Sequence, residues 1–420
     1  MGAEAPGAQQ GAVKSGIRLS GAQREFENSH MSVNTRALKR ILNLDDFEDA
    51  ARRFLPRPVF GYIVEAAETR STLADNRRAF GEWWFVPRIL TNVSGGSQQR
   101  TLFGKTYASP FGIAPMGISA LSAYRGDLVL AKGAEEANIP MIMSSSSLIP
   151  LEQLAREHKD AWFQAYLPGE VDEIRAMVER VQKAGFKHFV VTVDSQTAPN
   201  REHYTRAGFS SPLRPSLSLF WQGITHPRWT FGTFLRTLAK HGMPHFENNY
   251  SRRGAPILAA NVTREWADRG RLDWPHLALI RSLWKGPLIV KGILHVDDAR
   301  RARDMGADGI ILSNHGGRQL DGAVAPLRML PSVVAACPDF PVMLDGGVRR
   351  GTDVLKAIAL GASMVFVGRP FNYAATIASH DGVKHAIKLM QDEIARDMMM
   401  MGVRDLGEIG AHSVMRVWAQ

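Results

Sequence analysis

The chain has 420 residues, 45% hydrophobic and 22% charged, enough to bury one large core or two ordinary ones. A single cysteine, Cys337, excludes an internal disulfide and a cysteine zinc cluster and fits a reducing interior. Of the formal net charge of +10, residues 195–254 supply +6, with Lys/Arg at 201, 206, 214, 228, 236, 240, 252 and 253 against acids at 202 and 247.

Residues 1–30 are rich in Gly, Ala, Gln and Ser and lack the apolar centre of a signal peptide, so they are expected to be a disordered extension, with one domain over 31–420. No uninterrupted apolar run reaches transmembrane length. The expectation is a cytoplasmic protein, soluble or peripheral on the inner face of the membrane. From Asn43 to Phe80 the apolar spacing is helical, interrupted at Pro56 and Pro58.

After that segment one pattern recurs. Short apolar runs alternate with amphipathic helical stretches: 111–115, 140–145, 161–166, 188–194, 287–292, 309–315, 341–347 and 363–370. Eight such units are the arithmetic of a (β/α)8 TIM barrel, an α/β fold. An open doubly wound sheet would want GxGxxG after its first strand, which "FGIAPMGISA" does not supply. The basic stretch 195–254 becomes a long loop insertion after strand four, on the face where barrels carry their chemistry. Its charge alone points to nucleic acid. Interleaved Phe209, Phe220, Trp221, Trp229, Phe231 and Phe234 suit an anionic lipid surface instead, and no nucleic-acid partner is expected. The plainer reading is a lid with aromatics packed inward and solvated charges.

Polar residues at the C-terminal strand ends converge on one mouth: Ser144, Gln164, Tyr166, Thr192, Asp194, Lys291, His315, Asp345 and Arg369. "DGGVRR" after strand seven offers Gly347 and Arg349, and "VGRP" after strand eight offers Gly368 and Arg369, together a phosphate cradle. His315 is the candidate base and Asp194 its orienting carboxylate. Arg318, three residues on, can grip a substrate carboxylate with two parallel bonds. No cluster with metal-ligand spacing stands at these ends, so no metal is expected.

"SNHGGRQLDG", "DGGVRRGTDVLKAIALGA" and "VGRP" resemble the FMN-dependent L-2-hydroxy-acid oxidases and dehydrogenases, and the likeness runs from about Asn43 to about Ser413. The resemblance implies FMN as cofactor and oxidation of an L-2-hydroxy acid to the 2-keto acid. His315, paired with Asp194, takes a proton, and the Cα hydrogen passes to flavin N5. It implies substrate contacts from Tyr62, Tyr166, Arg201 and Arg318. Ala114, Met116, Gly117, Ser144, Gln164 and Thr192 would lie against the flavin, with Lys291 beside its ring. Asp345, Gly347, Arg349, Gly368 and Arg369 would hold the ribityl phosphate. A homotetramer is implied as well.

Three features depart from the glycolate oxidase pattern. "EAAE" follows the tyrosine loop, Ser146 replaces a bulky aromatic, and Gly117 stands where oxidases tend to have alanine. These point to L-lactate or a larger acid such as mandelate, with a quinone or cytochrome as acceptor. "THPRWTF" and "HGMPHFEN" resemble the membrane-docking loop of mandelate and respiratory lactate dehydrogenases. The alternatives are an oxygen-using oxidase that makes hydrogen peroxide and a flavin-free isomerase or lyase on a phosphate-binding barrel.

Overall fold

Three helices precede the barrel, as their spacing predicts. In the computed structural model, which describes residues 38–260 and 267–417, they are α1 (Leu44–Phe54), α2 (Arg57–Val64) and α3 (Ser71–Gly81). Asn43 caps α1 by accepting from the amides of Asp45 and Asp46, and Asp46 returns a bond to the Asn43 amide. Pro58 sits in the first turn of α2, where its missing N–H costs nothing. The extension expected over residues 1–30 lies outside the described residues.

All eight apolar runs form parallel strands. They are β1 (Phe111–Ile113), β2 (Ile142–Ser144), β3 (Trp162–Ala165), β4 (Phe189–Thr192), β5 (Leu288–Ile293), β6 (Gly309–Leu312), β7 (Val342–Asp345) and β8 (Val365–Val367). Each pairs with the next, β8 pairs back to β1, and a bridge between Ile113 and Met141 joins β1 to β2, closing the ring. Both faces of a barrel strand are covered, which is why these runs are continuously apolar.

The two-residue side-chain period divides the strands into layers. Ile142, Trp162, Val190, Ile289, Ile311 and Met343 fill the barrel interior as one cluster, while the intervening residues pack outward under the helices. Two residues on, the same inward direction carries Ser144, Gln164, Thr192, Lys291, Ser313 and Asp345. Two further on come Ser146, Tyr166, Asp194, His315 and Gly347. An apolar floor thus lifts two polar tiers to the mouth. Below the floor, the antiparallel strands Arg100–Leu102 and Lys105–Tyr107 carry Phe103, whose ring lies 5.7 Å from Trp162 and 5.8 Å from His188.

The stretch expected as a loop after β4 is largely helical. It contains Glu202–Arg206, α4 (Leu217–Thr225) and a continuous run from Pro227 through a π turn to His241. Its aromatics divide between the two readings. Phe209 and Trp229 are buried, with Trp229 Nε1 donating to Leu121 O at 2.8 Å, whereas Phe220, Trp221 and Phe231 are exposed.

Candidate active site

His315 lies just beyond β6 with φ of +57°, followed by Gly316 and Gly317 at +63° and +75°. Three successive left-handed residues fold the loop back on itself, a strained arrangement for a histidine. Side chains distant in sequence hold it. Asn314 and Asn76 exchange reciprocal amide bonds of 2.8 and 2.7 Å, and Ser313 Oγ accepts from the His315 amide at 2.9 Å. A Cβ on Gly317 would stand 2.7 Å from the Leu73 amide nitrogen, so α3 packs directly on this turn.

The imidazole is fixed at both nitrogens. Nδ1 lies 2.9 Å from Asp194 Oδ1, and Nε2 lies 3.1 Å from the Tyr166 hydroxyl. An ionised carboxylate only accepts, so Nδ1 carries the proton and Nε2 presents its lone pair. Burial pushes the His315 pKa down, and Lys291 and Arg318 push the same way against the pull of Asp194. Burial alone would raise Asp194, but His315 and Lys291 outweigh it and hold the carboxyl below its usual range. Tyr166 is raised by burial and by Asp194, so its hydroxyl stays protonated.

Substrate-side cations gather on the same rim. The Arg318 guanidinium lies 5.1 Å from the Tyr62 ring centroid and donates to the carbonyls of Ile63 and Glu65. Arg201, on the segment that opens the insertion, donates to Arg318 O at 3.1 Å and to Gln319 Oε1 at 2.8 Å. Burial and the neighbouring Arg318 lower Arg201 to about 10.

On the other side opens a cleft lined by Ala114, Met116, Lys291, Asp345, Gly347, Arg349, Gly368 and Arg369 among others. Lys291 is buried between Asp345, 2.9 Å away, and Ser313, to which it donates at 2.8 Å. Burial would lower it, yet Asp345 and Asp194 keep it raised and charged. Gly346 and Gly347 turn with φ of +101° and +86°, and a Cβ on Gly347 would stand 2.1 Å from Asn76 O, so only glycine fits. Gln164 Nε2, Thr192 Oγ1 and Asp345 Oδ1, on the strand ends around this cleft, are among the buried polar atoms that have no partner among the described residues. Such orphans are costly unless a ligand completes them. A flat heteroaromatic with a polyol arm and a phosphate supplies that complement, so the residues fit FMN. Arg369 also lines the cleft. Its guanidinium donates to the carbonyls of Ile63, Glu65 and Gly316, and burial lowers it to about 9. These bonds brace the cleft wall, and Arg349, beside Asp45 at 3.3 Å, lines the same cleft.

The structure thus brings the expected residues together around one mouth. Gly117 adjoins Met116, and Ser144 Oγ donates to Gln164 Oε1 at 3.1 Å, which turns the glutamine amide N–H2 away from it. Asn76, Asn249 and Arg269 escaped the sequence pattern. The Arg269 guanidinium lies 4.4 Å from the Tyr166 ring centroid, and no spacing rule connects it to a tyrosine on β3's exit.

A closed (β/α)8 barrel whose mouth joins such a cleft to a part-buried His–Asp pair has the architecture of a flavin-dependent hydroxy-acid dehydrogenase. The family model for FMN-dependent dehydrogenases matches residues 51–416. An L-lactate dehydrogenase of Pseudomonas entomophila is 37% identical over 377 residues, 88% of this chain and 97% of that protein. One from Stenotrophomonas maltophilia is 36% identical over 378 residues, 89% and 98% of the two chains. Among solved structures, monotopic membrane (S)-mandelate dehydrogenase aligns with a TM-score of 0.81 and 33% identity, covering 90% of this chain and 99% of that one. The chain belongs to the FMN-dependent dehydrogenase family, which sets the flavin-free alternative aside.

Proposed function

We propose that the protein oxidises an L-2-hydroxy acid, L-lactate or a larger one, to the 2-keto acid and passes the electrons to a quinone or cytochrome at a membrane surface. The observation that carries this reading is the imidazole held between Asp194 and Tyr166 at the rim of the cleft. Arg318 and Arg201, with Tyr62, would bind the carboxylate and so fix the substrate's orientation. The substrate hydroxyl would take the place of the Tyr166 hydroxyl at His315 Nε2, which removes its proton, and Asp194 stabilises the resulting imidazolium. Tyr166 then donates to the developing carbonyl oxygen. FMN, when bound along Thr192, Gln164, Lys291 and the Gly346–Arg349 turn, supplies the acceptor for the Cα hydrogen and two electrons. Lys291, charged and buried, would sit against the ring where negative charge accumulates.

The membrane part rests on the insertion. Leu217, Phe220, Trp221 and Ile224 lie at i, i+3, i+4 and i+7 of α4 and are all exposed, with Phe231 beyond them and Arg214, Arg228 and Lys240 around them. No helix among the described residues is long and apolar enough to cross a membrane. Assembly as a tetramer is part of the same proposal and rests on the family likeness alone.

His315→Gln tests the central step. General-base removal typically costs ~100- to 10,000-fold in rate, so turnover should collapse while the yellow flavin spectrum persists. Unchanged turnover would exclude His315 as the base.

A further inference from the structure

The insertion is fastened to the barrel at two places. Its returning limb crosses the loop after β2, where Asn248 accepts from the Leu151 amide at 2.9 Å and donates to Ile149 O at 2.8 Å. Beside it Asn249 Oδ1 accepts from Ser146 Oγ at 3.2 Å, and a Cβ on Gly117 would stand 3.0 Å from Ser146 Cβ. The outgoing run, from Pro227 to His241, packs instead on the loop after β1, where Trp229 Nε1 donates to Leu121 O. Around this second junction the charged groups are all cationic. The Arg236 guanidinium lies 4.0 Å from the Tyr124 ring centroid, and the Tyr124 hydroxyl lies 2.9 Å from His241 Nε2. Arg125 follows Tyr124 on the barrel side, and Lys240 precedes His241 on the insertion.

Burial lowers the His241 pKa, and Arg125, Lys240 and Arg236 lower it further, so three positive fields overlap at that ring. The insertion offers nothing to answer them, because no acid occurs from 203 to 246. On the barrel side Glu157 and Asp127 act on Arg125 from a distance, and neither comes within ion-pair range. Glu157 is engaged with Gln153 at 2.8 Å, and Asp127 is buried. The guanidinium groups of Arg125 and Arg236, both half-buried residues, thus have no hydrogen-bond or ion-pair partner among the described residues. Like charges in a half-buried place repel more strongly than in open water, and an anion between them relieves that repulsion. The surroundings indicate which anion. Phe231 and Leu235, on the same run as Arg236 and Lys240, are exposed. A segment whose apolar side enters the acyl boundary of a bilayer holds its neighbouring cations at the depth of the lipid phosphates. Phosphate oxygens also match the guanidinium fork, which binds them in pairs.

We propose that Arg125, Arg236 and Lys240, with Tyr124 and His241, form a binding site for the phosphate of an anionic lipid headgroup at the seam between barrel and insertion. This rests on the membrane reading above and goes beyond it, because Tyr124 and Arg125 belong to the barrel and would fix its orientation on the bilayer. The test is sedimentation of the FMN-loaded full chain with galactolipid vesicles carrying either dioleoyl phosphatidylglycerol or dioleoylglycerol succinate. At matched surface charge, these two lipids differ in offering a phosphate or a carboxylate. Arg125→Gln/Arg236→Gln is compared with Arg214→Gln/Arg228→Gln, which removes the same charge outside the cluster. Diffuse attraction alone costs about fivefold per cation in either pair. On phosphatidylglycerol the cluster pair should lose at least about tenfold more than the other pair, since hydrogen bonds to a charged group go with it. On the carboxylate lipid the two pairs should lose equally. Both should keep the flavin spectrum and dye-linked turnover, and Lys240→Gln, at an exposed position, gives the same lipid comparison should the cluster pair fail to fold. Equal losses on phosphatidylglycerol, or wild type that binds both lipids alike, overturn the site. Binding of soluble glycerol phosphate that is lost in the cluster variant, without any lipid preference, would assign the site to a soluble phosphate ester and overturn the lipid reading. If wild type sediments with neither vesicle, the membrane reading itself falls and takes the inference with it.

Discussion

His315 earns its role from two neighbours that the local sequence does not contain. A histidine following an apolar strand is more often structural than reactive, yet here Asp194 lies 121 residues away in the chain and Tyr166 lies 149. The pairing was legible because strand ends of a barrel share a mouth; the Asn76–Asn314 bracket was not, because nothing in a helix such as α3 marks one asparagine as reaching across 238 residues. The pH profile follows from the same neighbours. His315 must be neutral to act, and its pKa lies below the ordinary 6.5. The kcat/KM should therefore fall only as pH drops below that value, and an acid limb centred above 7 would contradict the assignment. On the alkaline side, Arg201 at about 10 loses charge on the carboxylate-binding rim, so KM should rise there. Gly347→Ala would drive a methyl toward Asn76 O, whose backbone cannot retreat without moving α3. The expected result is purified protein that has lost flavin absorbance; full flavin content would show that the turn tolerates a side chain.

At the scale of elements, the barrel strands were legible because both their faces are covered, which leaves short, continuously apolar runs between helical stretches. The helices of the insertion were not. Pro212, Pro215 and Pro227 crowd the segment with loop signals, and the exposed apolar face of α4 inverts the usual pattern of a soluble helix. That inversion is also what a bilayer surface would satisfy. Replacing Phe220, Trp221 and Phe231 with serine should weaken sedimentation with anionic vesicles by at least about tenfold per aromatic, because each buried ring contributes roughly 1.5 kcal/mol or more. Retained sedimentation would reassign the face to another partner. The triple variant should keep its activity toward a soluble dye, since none of the three residues touches the mouth.

For the molecule as a whole, the barrel floor sets an acid limit on stability. His188 is buried, stacked 4.6 Å from Trp162, and neither ring nitrogen has a hydrogen-bond partner among the described residues. Burial lowers its pKa to about 4, with Lys187 and Lys105 acting in the same direction. The usual histidine gains a partner on folding and is raised; this one is depressed, so the sign reverses. Unfolded chains bind the proton first, and stability is full above 6.5 and lost as pH falls from 6.5 toward 4. At pH 5 the loss is about 2 kcal/mol. His188→Phe keeps the ring stack and should remove that loss, read as a smaller drop in urea midpoint between pH 7.5 and pH 5 than wild type shows. Equal drops in the two proteins would place the acid sensitivity elsewhere.

The fastening of the returning limb has a bearing on how this enzyme can be re-engineered. Exchanging the whole excursion for a shorter, water-loving connector is the obvious route to a freely soluble catalyst. Because Asn248 and Asn249 travel with that cassette, the exchange would also remodel the wall beside Gly117. Solubility and the packing of that wall are therefore not separable modules here. A graft that cuts before Met243 and preserves the limb would keep the second while changing the first.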